Sequence, residues 1–409
     1  MLIFKKGSTT DCSNYSPINL LSHIYKVFIS IIYERIKHDL FEYLPEEQAA
    51  YQPEKGCRDQ IFSLLQIAEK AHEFNSPLYM VFLDFIKAFD SLSWRAIWSA
   101  LDDTTINKGY IQILKKIYVG SRAKVKGNFG TTDFFDIKKG AKQGDKLSAL
   151  LFCCVLAWVI KKTEQEVRSG YRIGSKLLAY LAYSDDKVLL GENQSDLQKY
   201  LKVFVRNAGE VGLKINLSKT KCLIVSNNNN EALSVVIDGE NMEQVSDFKY
   251  LGHVITEDNN QEKAVSSRIG LGWAAYKKWK NVFDSPKASI MIKCKIYKIY
   301  IQSIVLYGCE CITWTERLMN KISVFHNHML RNILRKRLCD KIPIDELHRK
   351  TKLKPIMVII KERTINWYEF SIARRGIPYQ CLQSDVEGTR SRGRPRCRWK
   401  NTVRHWINR

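Results

Sequence analysis

Tyr183-Ser184-Asp185-Asp186 is flanked by apolar residues on both sides, Leu177, Leu178, Tyr180 and Leu181 before it and Val188, Leu189 and Leu190 after it. Two short apolar runs with polar residues pinched between them predict a tight β-hairpin. The two adjacent carboxylates at its tip repel each other. A divalent cation removes that repulsion, and hard Mg²⁺ prefers carboxylate oxygen. Taken alone, an Asp-Asp turn reads first as a solvated surface feature. A third carboxylate changes that balance. The run Leu78-Tyr-Met-Val-Phe-Leu83 is long enough for a buried strand and ends at Asp84. Carboxylates on neighbouring strands that clamp two cations about 4 Å apart are the ligand set of two-metal phosphoryl and nucleotidyl transfer.

Three segments follow in order: Asp84-Phe-Ile-Lys-Ala-Phe-Asp90, Lys142-Gln-Gly-Asp145 and Tyr183-Ser-Asp-Asp186. Together they resemble the A, B and C motifs of reverse transcriptases, specifically those of LINE-type non-LTR retrotransposons, and the resemblance runs from about Ile3 to the C-terminus. It implies an α+β right-hand polymerase fold. Fingers and a palm with an antiparallel sheet would occupy 1–252, a helical thumb 253–340, and a basic helical nucleic-acid-binding segment 341–409. It also implies an RNA-directed DNA polymerase that works on an RNA template, a DNA primer and dNTPs with two Mg²⁺ ions, Mn²⁺ being the alternative. Asp84, Asp185 and the backbone of Phe85 would hold the ions, with Asp186 in support. Phe89 matches a steric gate against the ribose 2′-hydroxyl, although without the family it is simply a core aromatic. Gln143 and Gly144 match the loop against the nascent base pair. In Gln52–Gln60, which resembles the second fingers motif, Lys55 and Arg58 match the bases that meet template and triphosphate. Gly212–Thr220 resembles motif D, where Lys219 matches a general acid for pyrophosphate; on residue type alone it is a surface lysine. Phe248–Gly252 resembles the primer grip, with Lys249, Tyr250 and Gly252 toward nucleic acid. Ile290–Tyr307 resembles the thumb. Gly388–Trp399, with Arg392, Arg394 and Arg396, reads as an exposed arm for backbone phosphate.

The chain also departs from the pattern. Ser16 and Glu54 stand where arginines are usual, the fingers loop is short, and Lys146 replaces a proline. Lys187 occupies an apolar strand position, where it would be costly unless it is paired or reaches solvent; pairing with Asp185 or Asp186 would make it a competitor of metal. The family usually carries more protein before this point, including in many elements an endonuclease, so a fragment, a truncated copy or a clipped gene model is expected, and a separate endonuclease stays open as a partner. A catalytically decayed, reverse-transcriptase-like nucleic-acid-binding protein therefore stands as the alternative. An RNA-templated RNA polymerase shares the palm, but Phe89 argues against it.

Composition agrees with a nucleic-acid partner. The 409 residues carry a net charge of +23, and 21 Lys/Arg against 7 Asp/Glu lie from Arg331 onward. The longest apolar stretch, Leu147 to Ile160, falls short of the roughly 20 residues a bilayer span needs. Met1–Lys5 turns charged too early for a secretory signal. An odd 11 cysteines without a repeated spacing suit reduced thiols in an intracellular protein, nuclear or cytoplasmic rather than secreted. Cys381, Cys397 and His405 match no zinc module. Local signals add detail. Ile24, Val27, Phe28, Ile31 and Ile32 read as the core face of a helix. Ser93 and Asp145 read as helix caps, Ser195–Gln198 as a capping box, and Asp238-Gly239 as a hairpin turn.

Overall fold

A computed structural model describes the chain except for residues 1, 5, 6, 12, 13, 128, 129, 143, 228–231, 391–396 and 409. Its centre is a five-stranded sheet. The strands are β1 (Leu78–Leu83), β2 (Tyr180–Tyr183), β3 (Asp186–Gly191), β4 (Lys221–Val225) and β5 (Glu243–Gln244), in spatial order β2-β3-β1-β4-β5. All pairs are antiparallel except β4 with β5. All six residues of β1 are buried, which explains why its sequence is continuously apolar rather than alternating.

Both faces of the sheet are covered. Tyr79, Val81 and Leu83 of β1 face one core, built with α1 (His23–Tyr43), α3 (Trp94–Asp102), α4 (Lys146–Glu166) and α5 (Gln194–Glu210). Leu78, Met80 and Phe82 face a second core under α2 (Cys57–Glu73). α4 is the long apolar helix expected from the sequence, and Asp145 caps it by accepting from Ser148 N at 2.6 Å. Ser93 caps α3. Asp238 and Gly239 take φ of 51° and 84° between two short paired strands. After the sheet, β6 (Asp247–Tyr250) and β7 (His253–Thr256) form a tight hairpin. A third core gathers α6 (Glu262–Asp284), α7 (Glu316–Leu334) and part of α8 (Ile356–Arg374). The helix that starts at Ile290 passes into a π-helical stretch, Tyr297–Gln302, before it ends.

The structure departs from several expectations. In α1 the buried residues are Ile29, Ile32, Ile36 and Leu40, whereas Ile24 (85% exposed), Val27, Phe28 and Ile31 face outward. The helix carries apolar residues on both sides, so periodicity alone chose the wrong stripe. The cap of α5 is Asn193, which accepts from Asp196 N at 2.9 Å; Ser195 already lies inside the helix. Gln198 instead exchanges two hydrogen bonds with the backbone of Val236, both at 2.8 Å. In the segment 388–399, Gly388, Thr389, Arg390 and Cys397 are exposed as expected of an arm, but its last residue is not. Trp399 opens α9 (Trp399–Ile407), is buried against Phe62 and Trp367, and donates from Nε1 to Glu310 O at 2.9 Å. Arg390 and Arg398 both pair with Glu73 of α2. Among the described residues, no helix is long and apolar enough to cross a membrane.

Candidate active site

β2 and β3 are joined by Ser184 and Asp185, with Tyr183 opposite Asp186. β3 lies next to β1 with Lys187 opposite Leu83. This register brings the hairpin tip beside Asp84, the residue that follows β1. On the other side of that strand end, Asn216 N donates to Asp84 O at 2.8 Å, Phe85 bridges Ile215, and Ile86 N donates to Lys214 O at 2.9 Å. The segment that resembles motif D is thereby laid along the end of β1. Its Lys219 ammonium reaches Asp84 Oδ2 at 3.1 Å. Asp84, Asp185, Asp186 and Lys219 are thus neighbours, drawn from three separate parts of the sequence.

The electrostatics are those of a site short of positive charge. Asp186 is raised from 3.8 to about 6, first by desolvation and then by the like charges of Asp185 and Asp84, with Lys219 and Lys187 pulling it back. Among the described residues, no three His, Cys, Asp or Glu side chains are gathered tightly enough to hold a metal ion as they stand. Lys219 instead occupies one oxygen of Asp84. The donors are nonetheless all carboxylate oxygens whose mutual repulsion a hard divalent cation would relieve, so their chemistry fits such an ion. Phe85 offers only its backbone, because its side chain is buried in the core.

Lys187 does not pair with Asp185 or Asp186. It is 1% exposed, and its ammonium finds no hydrogen-bond partner among the described residues. It lies over the Phe85 ring at 5.6 Å. Burial lowers it from 10.5 to about 8, with Cys153 and the two aspartates acting in the other direction. Alternation along β3 is the reason for this placement: Asp186 and Lys187 point to opposite faces, and Lys187 shares the α4 side with Leu189.

The surrounding loops are locked by glycines and by aromatic contacts. Gly140 has φ +90°, and a Cβ there would come within 3.0 Å of Asp90 O. Gly144 has φ +133° and would meet Asn19 O at 2.8 Å. Ala141 N donates to Phe89 O at 2.8 Å, and the half-buried Phe89 ring stacks on Phe152 at 4.5 Å. Gln143 lies outside the described residues. Lys142 sits between the rings of Tyr25 and Tyr118, at 5.0 and 5.1 Å, and Tyr25 donates to Asp145 Oδ2 at 3.1 Å. These contacts tie the glycine loop to α1.

The expected nucleic-acid contacts divide. Lys249 is exposed, but Tyr250 is 2% exposed, packs near Phe82 and donates to Leu181 O at 3.4 Å. It therefore cannot meet a primer; period-2 alternation puts Lys249 out and Tyr250 in. Leu251 and Gly252 turn the β6–β7 hairpin with φ of 47° and 80°, and Gly252 O accepts from Arg268. Lys55 donates to Glu46 O at 3.2 Å, and Arg58 pairs with the buried Glu310 at 3.3 Å, a carboxylate it shares with Arg363. Both bases hold this fold together at the positions expected to meet phosphate. Arg392, Arg394 and Arg396 lie outside the described residues.

One residue at the site had no signal in the sequence. Gln48, 2% exposed, accepts from Ser184 N at 2.9 Å through Oε1 and donates to Ser184 O at 3.4 Å through Nε2. A glutamine between two helices gives no pattern that predicts a partner 136 residues away.

With this geometry established, comparison with known proteins is direct. The reverse transcriptase (RNA-dependent DNA polymerase) family matches residues 3–255. The chain is 26% identical over 253 residues to the Retrovirus-related Pol polyprotein from type-2 retrotransposable element R2DM of Drosophila melanogaster, covering 58% of this chain and 23% of that protein. It is 24% identical over 351 residues to the RNA-directed DNA polymerase from mobile element jockey of Drosophila funebris, covering 81% of this chain and 37% of that protein. The chain spans 21% to 37% of the length of the first five curated relatives it matches. Among solved structures, apo telomerase from Candida tropicalis aligns at 12% identity with a TM-score of 0.44, covering 89% of this chain and 63% of that one. The family match spans both halves of the carboxylate site and the sheet that joins them, and the chain belongs to the reverse transcriptase family, with non-LTR retrotransposon proteins among its relatives.

Proposed function

We propose that this chain is the RNA-directed DNA polymerase core of a non-LTR retrotransposon, extending a DNA primer from dNTPs on an RNA template. The observation that carries the reading is the junction of Asp84, at the end of β1, with the Asp185-Asp186 tip of the neighbouring hairpin. Asp84, Asp185 and the Phe85 backbone would hold two Mg²⁺, with Asp186 in support. When bound, the ions supply activation of the primer 3′-hydroxyl and neutralisation of charge on the leaving pyrophosphate. The chain's own residues do the positioning. The β1 register holds Asp84 level with the hairpin, and Gly140 and Gly144 let the loop approach closely. Phe89, backed by Phe152, presents a ring that favours deoxynucleotides. Lys219 leaves Asp84 and delivers a proton to the departing pyrophosphate. The basic surface holds template and primer by their backbones. In this reading, 1–252 is fingers and palm, 253–340 the thumb, and 341–409 a basic segment docked back on α2.

Mg²⁺-dependent extension by Asp84→Asn at the rate of the unmodified chain would refute the assignment. The second reading, a decayed nucleic-acid-binding protein, draws on Lys187, a buried cation one residue from the carboxylate pair. Salt-sensitive RNA binding without any extension would favour it.

A further inference from the structure

The turn that presents Asp185 is conformationally expensive. Ser184 has φ +60° and is 4% exposed, so a residue with a Cβ is held in the left-handed region inside the protein. Such a turn persists only when its surroundings over-determine it. Its backbone is bracketed by one side chain, carried on one short segment. Gln48 Oε1 accepts from Ser184 N at 2.9 Å, and Gln48 Nε2 donates to Ser184 O at 3.4 Å. A carboxamide is the neutral side-chain group that offers an acceptor and a donor side by side, so it brackets both backbone groups of a single residue. The segment carrying it runs along the free edge of β2. Ala182 N donates to Glu47 O and Ala49 N donates to Ala182 O, both at 3.0 Å, with Gln48 bridging Ala182 in parallel. Gln48 is itself fixed, since its N donates to Pro45 O at 3.1 Å and its Oε1 also accepts from Ala50 N at 3.1 Å. Gln60 Nε2 anchors the same segment by donating to Glu47 O at 2.9 Å. The β2–β3 hairpin is therefore registered on one side by β1, which carries Asp84, and on the other by the segment that carries Gln48.

We infer that Gln48 is a positioning residue of the site, setting the backbone of the Ser184–Asp185 turn so that Asp185 is held where it can share a cation with Asp84. The inference rests on the polymerase reading for the purpose of that geometry. Gln48 touches neither substrate nor metal; it acts through Ser184.

Two features make the role separable from ordinary packing. Gln48→Met keeps the bulk and removes both hydrogen bonds to Ser184, together with the one from Ala50 N. Ser184→Gly removes the cost of positive φ, because glycine adopts it freely. If Gln48 works by holding the left-handed turn, glycine at 184 should suppress the Gln48→Met defect, which it would not do for a cavity or a packing fault elsewhere. The experiment is Mn²⁺ binding to the full chain, followed by electron paramagnetic resonance and independent of turnover, beside amide hydrogen exchange at Ser184. Asp185→Ala serves as the reference for loss of the site. The expected result is Mn²⁺ binding weakened about tenfold in Gln48→Met, the size expected for a lost buried hydrogen-bonding partner. Faster exchange at Ser184 should accompany it, and most of the affinity should return in Gln48→Met/Ser184→Gly. Unchanged binding in Gln48→Met while Asp185→Ala abolishes it would overturn the inference. So would a double variant no better than Gln48→Met while both unfold like the parent. If Asp185→Ala also binds Mn²⁺ like the parent, the polymerase reading fails, and the inference with it.

Discussion

Replacing Lys187 by Met should stabilise this protein. The ammonium is 1% exposed, lies over the Phe85 ring and has no hydrogen-bond partner among the described residues. Burial lowers its pKa from 10.5 to about 8. At 1.36 kcal/mol per pKa unit, keeping the charged form inside the folded protein costs about 3 kcal/mol at pH 7. Between pH 8 and 10.5 the unfolded chain binds the proton and the folded chain does not, so stability rises with pH across that window. The penalty is complete below pH 8 and absent above 10.5. Methionine is unbranched like lysine and fills the same space without a charge. Urea denaturation should therefore give an unfolding free energy about 3 kcal/mol higher for Lys187→Met at pH 7, with the gap closing toward pH 10. An equal or lower stability at pH 7, or a gap that does not change with pH, would refute the reasoning.

Trp399→Ala should cost about 3–5 kcal/mol, because the indole is buried against Phe62 and Trp367 and bonded to Glu310 O; a denaturation midpoint like the parent's would show that α9 does not support the second core. Ile24→Ser and Phe28→Ser should each change stability by no more than about 0.5 kcal/mol, since both side chains face outward; a loss of about 2 kcal/mol would restore them to the core. His253 and His326 are both lowered from 6.5 to about 4, chiefly by burial, and are neutral in the folded state. The unfolded chain therefore takes up more protons as pH falls from 6.5 to 4, and each should remove about 3 kcal/mol over that window. A His253→Leu variant with as steep an acid loss as the parent would contradict this.

The parts of this architecture that were legible in the sequence are those where local pattern and long-range requirement coincide. β1 had to be continuously apolar because helices cover both of its faces, and the carboxylate hairpin announced itself by two apolar runs around a polar pair. Asp145 and Ser93 cap their helices through contacts three residues away, which local sequence encodes. α1 failed because Ile24, Val27, Phe28 and Ile31 have the same helical spacing as its buried residues, and only tertiary packing chooses between the stripes. Tyr250 was assigned by position within a motif, although strand alternation turns it into the core beside Phe82. Lys187 keeps its place in β3, but its head points to the α4 side and takes neither option open to it, a carboxylate partner or solvent. Arg58 and Glu310 lie 252 residues apart, as do no groups that local pattern can connect. Gln48 belongs with them.

The most direct test of the account is primer extension on a short RNA template with dNTPs and Mg²⁺, run beside Asp185→Ala. The account predicts template-directed extension by the unmodified chain and none by the variant. Equal extension by both would contradict the role given to the hairpin, and no extension by either, with RNA binding retained, would contradict the polymerase itself.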